Sequence, residues 1–252
     1  IAQKKTKIIA VGGGKGGVGK SVIAASMGAG FARLSHSAAV VDVDLGGSNL
    51  HTIFGIEKPP HSFSEIIDSS TDVADVLTPA PGIDNLHLLC GASGRYGIAN
   101  IKYFQKLKFI RKIGKIDTEF VILDLGAGTN YNVLDFFVLA DYPVVLINPE
   151  PLSVLEGYNF IKHAFYRRLF SRLKNRNAAL SMLRKNAHLE TFRDPETIAQ
   201  ICARLHKIDP RAVEILEEHL QEFRPMLLIN KLEEDDDEAN GLAVKAAAED
   251  LL

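Results

Sequence analysis

Cysteine is scarce in this chain: Cys90 and Cys202 stand far apart with no CxxC pair, which excludes a disulfide framework and a cysteine-rich metal site. Long apolar runs are missing as well, and no stretch approaches the roughly 18 residues a membrane span needs. The first residues are basic but run straight into a glycine loop, without an apolar signal region and small-residue cleavage site, so a cytoplasmic protein is expected. His51 and His163 lack ligand spacing, and Tyr96, Tyr103, Tyr131 and Tyr142 are read as packing residues. What remains is the composition of a soluble globular protein, 46% apolar and 24% charged, with enough chain for a sizeable core.

The formal charge of −2 hides an asymmetry. Residues 85–116 hold Arg95, Lys102, Lys106, Lys108, Arg111, Lys112 and Lys115 with no acid, and 162–188 hold eight more cations with none, while 233–238 reads EEDDDE. Either basic window could face an anionic surface, membrane or nucleic acid; the competing reading is a solvated helix face, favoured for the first window and balanced for the second.

Short β-branched runs recur, each followed by a loop and a helical pattern: KIIAV (7–11), AAVVDV (38–43), FVILDL (120–125), PVVLIN (143–148) and PMLLIN (225–230), with NLHLL (85–89) as a further candidate strand. That rhythm predicts a doubly wound, mostly parallel α/β sheet with helices on both faces. Apolar spacing predicts helices at about 20–34, 98–114 and 152–170. The rhythm stops between Phe165 and Pro225, so 166–224 is read as a mostly helical insertion in a single domain spanning 1–252. Asp194-Pro195 and Asp209-Pro210 are expected to start two of its helices.

Strand KIIAV leads into GGGKGGVGKS, where Gly14, Gly19, Lys20 and Ser21 satisfy G-x-x-x-x-G-K-[ST] at the opening of a predicted helix. The glycines let successive N–H groups curl around a phosphate, and the helix start adds unpaired amides and partial positive charge. Lys20 then reaches the β and γ phosphates and Ser21 offers its hydroxyl to Mg²⁺. A chance glycine turn would match these four positions in roughly one percent of such sequences. Two more apolar runs end in acids at the same sheet edge, Asp124 in FVILDLG and Asp42 and Asp44 in VVDVDLGG, and in a doubly wound sheet that edge is where ligands bind.

GGKGGVGKS resembles the deviant phosphate loop of the MinD/ParA family of P-loop ATPases, which carries an extra lysine, here Lys15. The resemblance implies ATP and Mg²⁺ as ligands and nucleotide contacts from Gly14, Lys15, Gly16, Gly17, Val18, Gly19, Lys20, Ser21 and Val22. It implies a metal shell of Ser21, Asp44 and Asp124, and catalytic roles for Lys15, Lys20 and Asp44. Lys15 would cross a nucleotide-sandwich homodimer to the partner's phosphates, and Asp44 would orient the attacking water. Gly46–His51 and DLGAG (124–128) would be the switch loops, and Asn230 would read the adenine edge. NPEPLSVLEGYNFIKHAF and CGASGRYG are similar to the flagellar-number branch, FlhG. A slow ATP-dependent dimerising switch for spatial positioning follows, with an unidentified protein partner and a place in the cytoplasm or at the inner membrane or cell pole. The insertion is longer than the family's connection, and the chain stops at Leu252 inside a late helix, so the final strands and any membrane-binding terminal helix are expected to be missing. The competing functions are an ATP-dependent ligase, an iron–sulfur carrier, which needs a cysteine pair, and a scaffold without catalysis.

Overall fold

In the computed structural model, residues 6–44, 47, 49–62, 65–66, 71–91, 103–187, 198–233, 242 and 245–246 are described. Among them the order is β1 (Lys7–Gly12), α1 (Lys20–Arg33), β2 (Ala38–Asp42), the single turn α2 (Leu50–Ile53), β3 (Thr78–Pro79), β4 (Leu86–Leu89), α3 (Tyr103–Ile113), β5 (Phe120–Asp124), α4 (Tyr131–Leu139), β6 (Tyr142–Ile147), α5 (Pro151–Arg172), α6 (Asn177–Ala187), α7 (Ile198–Ile208), α8 (Pro210–Glu222) and β7 (Met226–Ile229).

The strands form one sheet in the order β3-β4-β2-β5-β1-β6-β7. All pair in parallel except β3, which runs antiparallel to β4 at the edge. The six strands expected from the sequence are present, and the fold is the expected doubly wound one. The two-residue β3 had no sequence signal: Pro79 lacks a donor for the ladder and is tolerated because β3 is an edge.

Alternate residues of the central strands feed opposite cores, as a pleat covered on both sides requires. Ile9 and Val11 join Ala24, Ala25, Val40 and Ile122 on the α1 side, whereas Ile8 and Ala10 join Phe109, Phe136, Phe137 and Phe160 on the other.

The segment read as an insertion is helical where described, although α5 continues unbroken to Arg172, past its proposed start at 166. Leu180, Leu183, Leu205, Leu216 and Phe223 are buried in the same core as the sheet. Asp209 caps α8, its carboxylate accepting from Ala212 N at 3.3 Å, with Pro210 in the first turn. The other expected start, Asp194-Pro195, lies outside the described residues.

His219 of α8 is fully buried; it stacks on Phe165, ring centroids 4.5 Å apart, and its Nε2 lies 3.0 Å from the Phe165 carbonyl oxygen. Burial pushes its pKa down from 6.5 to about 4, against that hydrogen bond, with Arg168 and Arg172 adding to the fall. Because the folded pKa is depressed, the unfolded chain takes up the proton first, and stability is lost as pH falls from 6.5 towards about 4. Urea unfolding at pH 7 and pH 5 is expected to show a loss of about 2 kcal/mol that His219→Gln lacks. Parallel pH profiles for the two proteins would refute the assignment.

Candidate functional site

Register brings the key strand ends together. Val11 of β1 and Asp42 of β2 both stand opposite Asp124 of β5, so the three following loops leave the sheet side by side. Backbone bonds then lace them: Leu125 N donates to Val11 O at 3.1 Å, Val43 N to Asp124 O at 3.0 Å and Gly128 N to Gly13 O at 3.2 Å. Asp42, 1% exposed, accepts from the amides of Asp44 (3.0 Å) and Leu50 (3.3 Å), so its carboxylate shapes the loop that carries Asp44.

The phosphate loop is pressed between this edge and α5. A Cβ on Gly14 would stand well under 3.0 Å from the Glu156 carbonyl oxygen, a backbone atom that cannot rotate away. Gly19 has φ +100° and enters α1 with no side-chain cap, which leaves helix-start amides open to an anion. Val18 is buried, Gly16 has open space around it, and Val22 is 57% exposed on the first turn of α1.

Lys20 is only 8% exposed and donates to Lys15 O at 3.1 Å. Burial lowers its pKa while Asp124 and Asp44 pull it back up. The Ser21 hydroxyl hydrogen-bonds the Asp124 carboxyl. Asp124, 2% exposed, is pushed up to about 7 by burial, with Asp42 and Asp44 adding and Ser21 and Lys20 opposing. Its Oδ1 is buried without a hydrogen-bond partner. Asp44 closes the group: a Cβ on Gly126 would stand 2.9 Å from Asp44 Oδ1.

An orphaned carboxylate oxygen beside a hydroxyl and a second carboxylate is a hard-oxygen donor set of the kind Mg²⁺ takes when phosphate and water complete its octahedron. Among the described residues no group of three or more His, Cys, Asp or Glu could hold a metal ion. Cys90 is buried, its thiol pushed up to about 11 mainly by burial, and Cys202 lies apart on α7.

Lys15 ion-pairs with Glu150 of its own chain, and Glu150 also receives a hydrogen bond from the Asn148 side chain. The Lys15 ammonium holds the Glu150 carboxyl below its usual range. Glu150 and Asn148 were missed as site residues; their signal was the position of NPEP at the end of β6, where a loop must enter the same edge. Asn148 N donates to Ser153 Oγ at 2.9 Å, and its Oδ1 is buried without a partner. Asn230 sits against the loop, its N donating to Ile147 O and its Nδ2 to Val18 O, both at 2.8 Å. Beside it Lys231 Nζ donates to Gly17 O at 3.2 Å. Gly46 and Ser48 of the expected first switch loop and all of the CGASGRYG loop beyond Gly91 lie outside the described residues.

The basic windows divide on inspection. Lys106, counted from sequence with the surface cations, is 2% exposed and paired to Asp135. In the second window Arg167, Arg168, Arg172 and Arg176 are paired to Asp135, Glu222, Glu218 and Asp209. Lys162, Lys174 and Arg184 have no ion pair among the described residues and line one cleft between α4, α5 and α6.

A family model described as ParA, NUBPL iron-transfer P-loop NTPase, matches residues 4–81. The antiactivator FleN of Pseudomonas aeruginosa is 26% identical over 211 residues, 83% of this chain and 70% of that protein. The flagellum site-determining protein YlxH of Helicobacter pylori is 27% identical, covering 88% of this chain and 90% of its own length. Among solved structures, the septum site-determining protein MinD of Pyrococcus horikoshii, complexed with Mg-ADP, superposes with TM-score 0.56 over 98% of this chain and 93% of its own. At 16% identity that match speaks for the fold. With the phosphate loop, Lys15 and the doubly wound sheet in place, the chain is similar to the ParA/MinD family of P-loop NTPases, through the family model over its first third and through FleN and YlxH over most of its length.

Proposed function

We propose that the chain is an ATP-binding, slowly hydrolysing switch that closes into an ATP-dependent homodimer and takes part in spatial positioning, in the manner of flagellum and septum site-determining proteins. The observation that carries this reading is the convergence of the Lys15-bearing loop with Lys20, Ser21, Asp44 and Asp124 on one sheet edge. That YlxH is a flagellum site-determining protein supports the positioning role. Gly14 to Val22 would hold the phosphates, and Asn230 would lie at the base. We also read 1–252 as one P-loop domain interrupted by a mostly helical insertion at about 166–224, with the cleft lined by Lys162, Lys174 and Arg184 as the contact with an anionic partner surface.

In this mechanism the open amides at Gly19 and the Lys20 ammonium bind the phosphates, where α1 adds its own partial positive charge. Ser21, Asp124 and Asp44 would hold Mg²⁺, which would supply neutralisation of the phosphate charge. Asp44 orients the attacking water. Lys15 leaves Glu150 and reaches the partner subunit's nucleotide; both groups of that pair are partly in solvent, so releasing it costs little.

Light scattering is expected to show a monomer with ADP and a dimer with ATP and magnesium, the dimer persisting in Asp44→Ala and absent in Lys15→Ala. Turnover of Asp44→Ala should fall roughly 100-fold. An ATP-bound monomer in wild type and both variants would end the switch reading.

A further inference from the structure

The loop from Leu125 to Asn130 joins β5 to α4 and passes Asp44 at Gly126. Leu125 N ties it to β1 at Val11 O, and Gly128 N ties it to the phosphate loop at Gly13 O. Its second half ends at Asn130, whose Oδ1 accepts from the amides of Asn132 (3.0 Å) and Val133 (3.1 Å), and at Tyr131, the first residue of α4.

Tyr131 is gripped twice. Lys106 Nζ, arriving from α3, donates to its carbonyl oxygen at 3.2 Å. The Arg167 guanidinium, arriving from α5, stands 4.5 Å from the centre of its ring. Both cations end on one carboxylate: Lys106 Nζ reaches Asp135 Oδ2 at 2.6 Å, and Arg167 Nε and Nη2 reach Asp135 Oδ1 and Oδ2 at 2.5 and 3.0 Å. Asp135 is 1% and Lys106 2% exposed.

Burying charges this deeply is an expensive way to hold three helices, since well-packed apolar side chains of similar volume do it as well or better. The cluster does what an apolar contact does not: it fixes direction at a single carbonyl and a single ring, both on the residue where the loop becomes a helix. We propose that Asp135 is a positioning residue for ATP hydrolysis, orienting Lys106 and Arg167 so that they hold Tyr131 and thereby set the Gly126–Asn130 loop against Asp44 and the phosphates. Asp135 lies on the second turn of α4 and acts only through these partners. The inference rests on the ATPase reading above.

The test compares wild type with Asp135→Asn, with the double variant Lys106→Met/Asp135→Leu, which replaces the buried charges by apolar volume, and with Arg167→Met, whose partly exposed site tolerates the change. In Asp135→Asn and the double variant, kcat is expected to fall about tenfold or more, with KM for ATP within about threefold, the pattern of a group that serves the transition state rather than binding. Arg167→Met should give a smaller fall in kcat with the same unchanged KM. Amide hydrogen exchange with ADP bound should speed up across 126–133 and stay unchanged in β1 and β5. The double variant is expected to keep a Tm close to wild type, which separates orientation from stability. A folded double variant with wild-type kcat and wild-type exchange would overturn the proposal, as would an unaltered kcat in Arg167→Met should the double variant fail to fold. If the wild type itself shows no turnover, the ATPase reading is what fails, and exchange in 126–133 alone decides whether Asp135 sets the loop.

Discussion

Gly14→Ala will bind ADP and magnesium about 100-fold more weakly than wild type, a loss of about 3 kcal/mol. The methyl group meets the Glu156 carbonyl oxygen of α5 at a distance no Cβ tolerates, and neither atom can escape by a rotamer change. The loop must therefore move outward, carrying its amides off the positions where they would point at phosphate. Hydrogen bonds to a charged acceptor are worth about 1.5–3 kcal/mol each, so misaligning two of them accounts for the whole effect. The forced shift should also lower the stability of the nucleotide-free protein by about 1–3 kcal/mol. Gly16→Ala is the control, because a Cβ there meets nothing within 4 Å and its φ is not positive. Its nucleotide-free Tm should match wild type. Calorimetric titration with Mg-ADP, alongside thermal unfolding, reads both quantities, and a Gly14→Ala protein that binds like wild type would show that the loop does not take phosphate where proposed.

The contrast between these two glycines marks what the sequence could and could not say. The phosphate loop was legible because its chemistry lies within ten consecutive residues and its strand and helix adjoin it. That Gly14 rather than Gly16 is crowded depends on α5, which the sequence places far downstream. The strands ending in Asp42 and Asp124, with Asp44 just beyond the first, were legible for the same local reason: continuous β-branched runs stopped by an acid. Lys106 was misread with the surface cations because an acid-free basic window gives no hint of burial. Its partner Asp135 is 29 residues away, and the one available signal was a lone acid in the apolar helix YNVLDFFVL. The arginines of the second window were likewise hidden by distance, since Arg168 and Arg172 find Glu222 and Glu218 on α8, 54 and 46 residues on. Pairings of that range are set by how helices dock, and no window of sequence contains them.

Asp124→Asn will make the nucleotide-free protein more stable while destroying its activity. The carboxyl is buried beside two other acids, so its folded pKa is raised from 3.8 to about 7. Between those values the unfolded chain has released its proton and the folded chain has not, and stability therefore falls as pH rises from 3.8 through about 7 and stays low above. The full linkage over that shift is about 4 kcal/mol, and with the site relaxing around the ionised group about 2 kcal/mol is expected at pH 8. For a chain of this size that is a rise in Tm of roughly 4–8 °C, which should shrink on acidification and vanish near pH 4. Asparagine is nearly isosteric, so packing cannot produce the pH dependence. The same substitution removes a negative charge from the proposed magnesium shell, and turnover with ATP and magnesium should fall at least about 100-fold, or about 2.7 kcal/mol. A buried carboxylate with one oxygen left without a hydrogen bond is thus a standing cost in the empty protein, one that magnesium in the proposed site would offset, linking stability to occupancy. Equal Tm values for Asp124→Asn and wild type from pH 4 to pH 8 would mean that solvent already relieves this carboxyl, and the destabilising role assigned to it would be wrong.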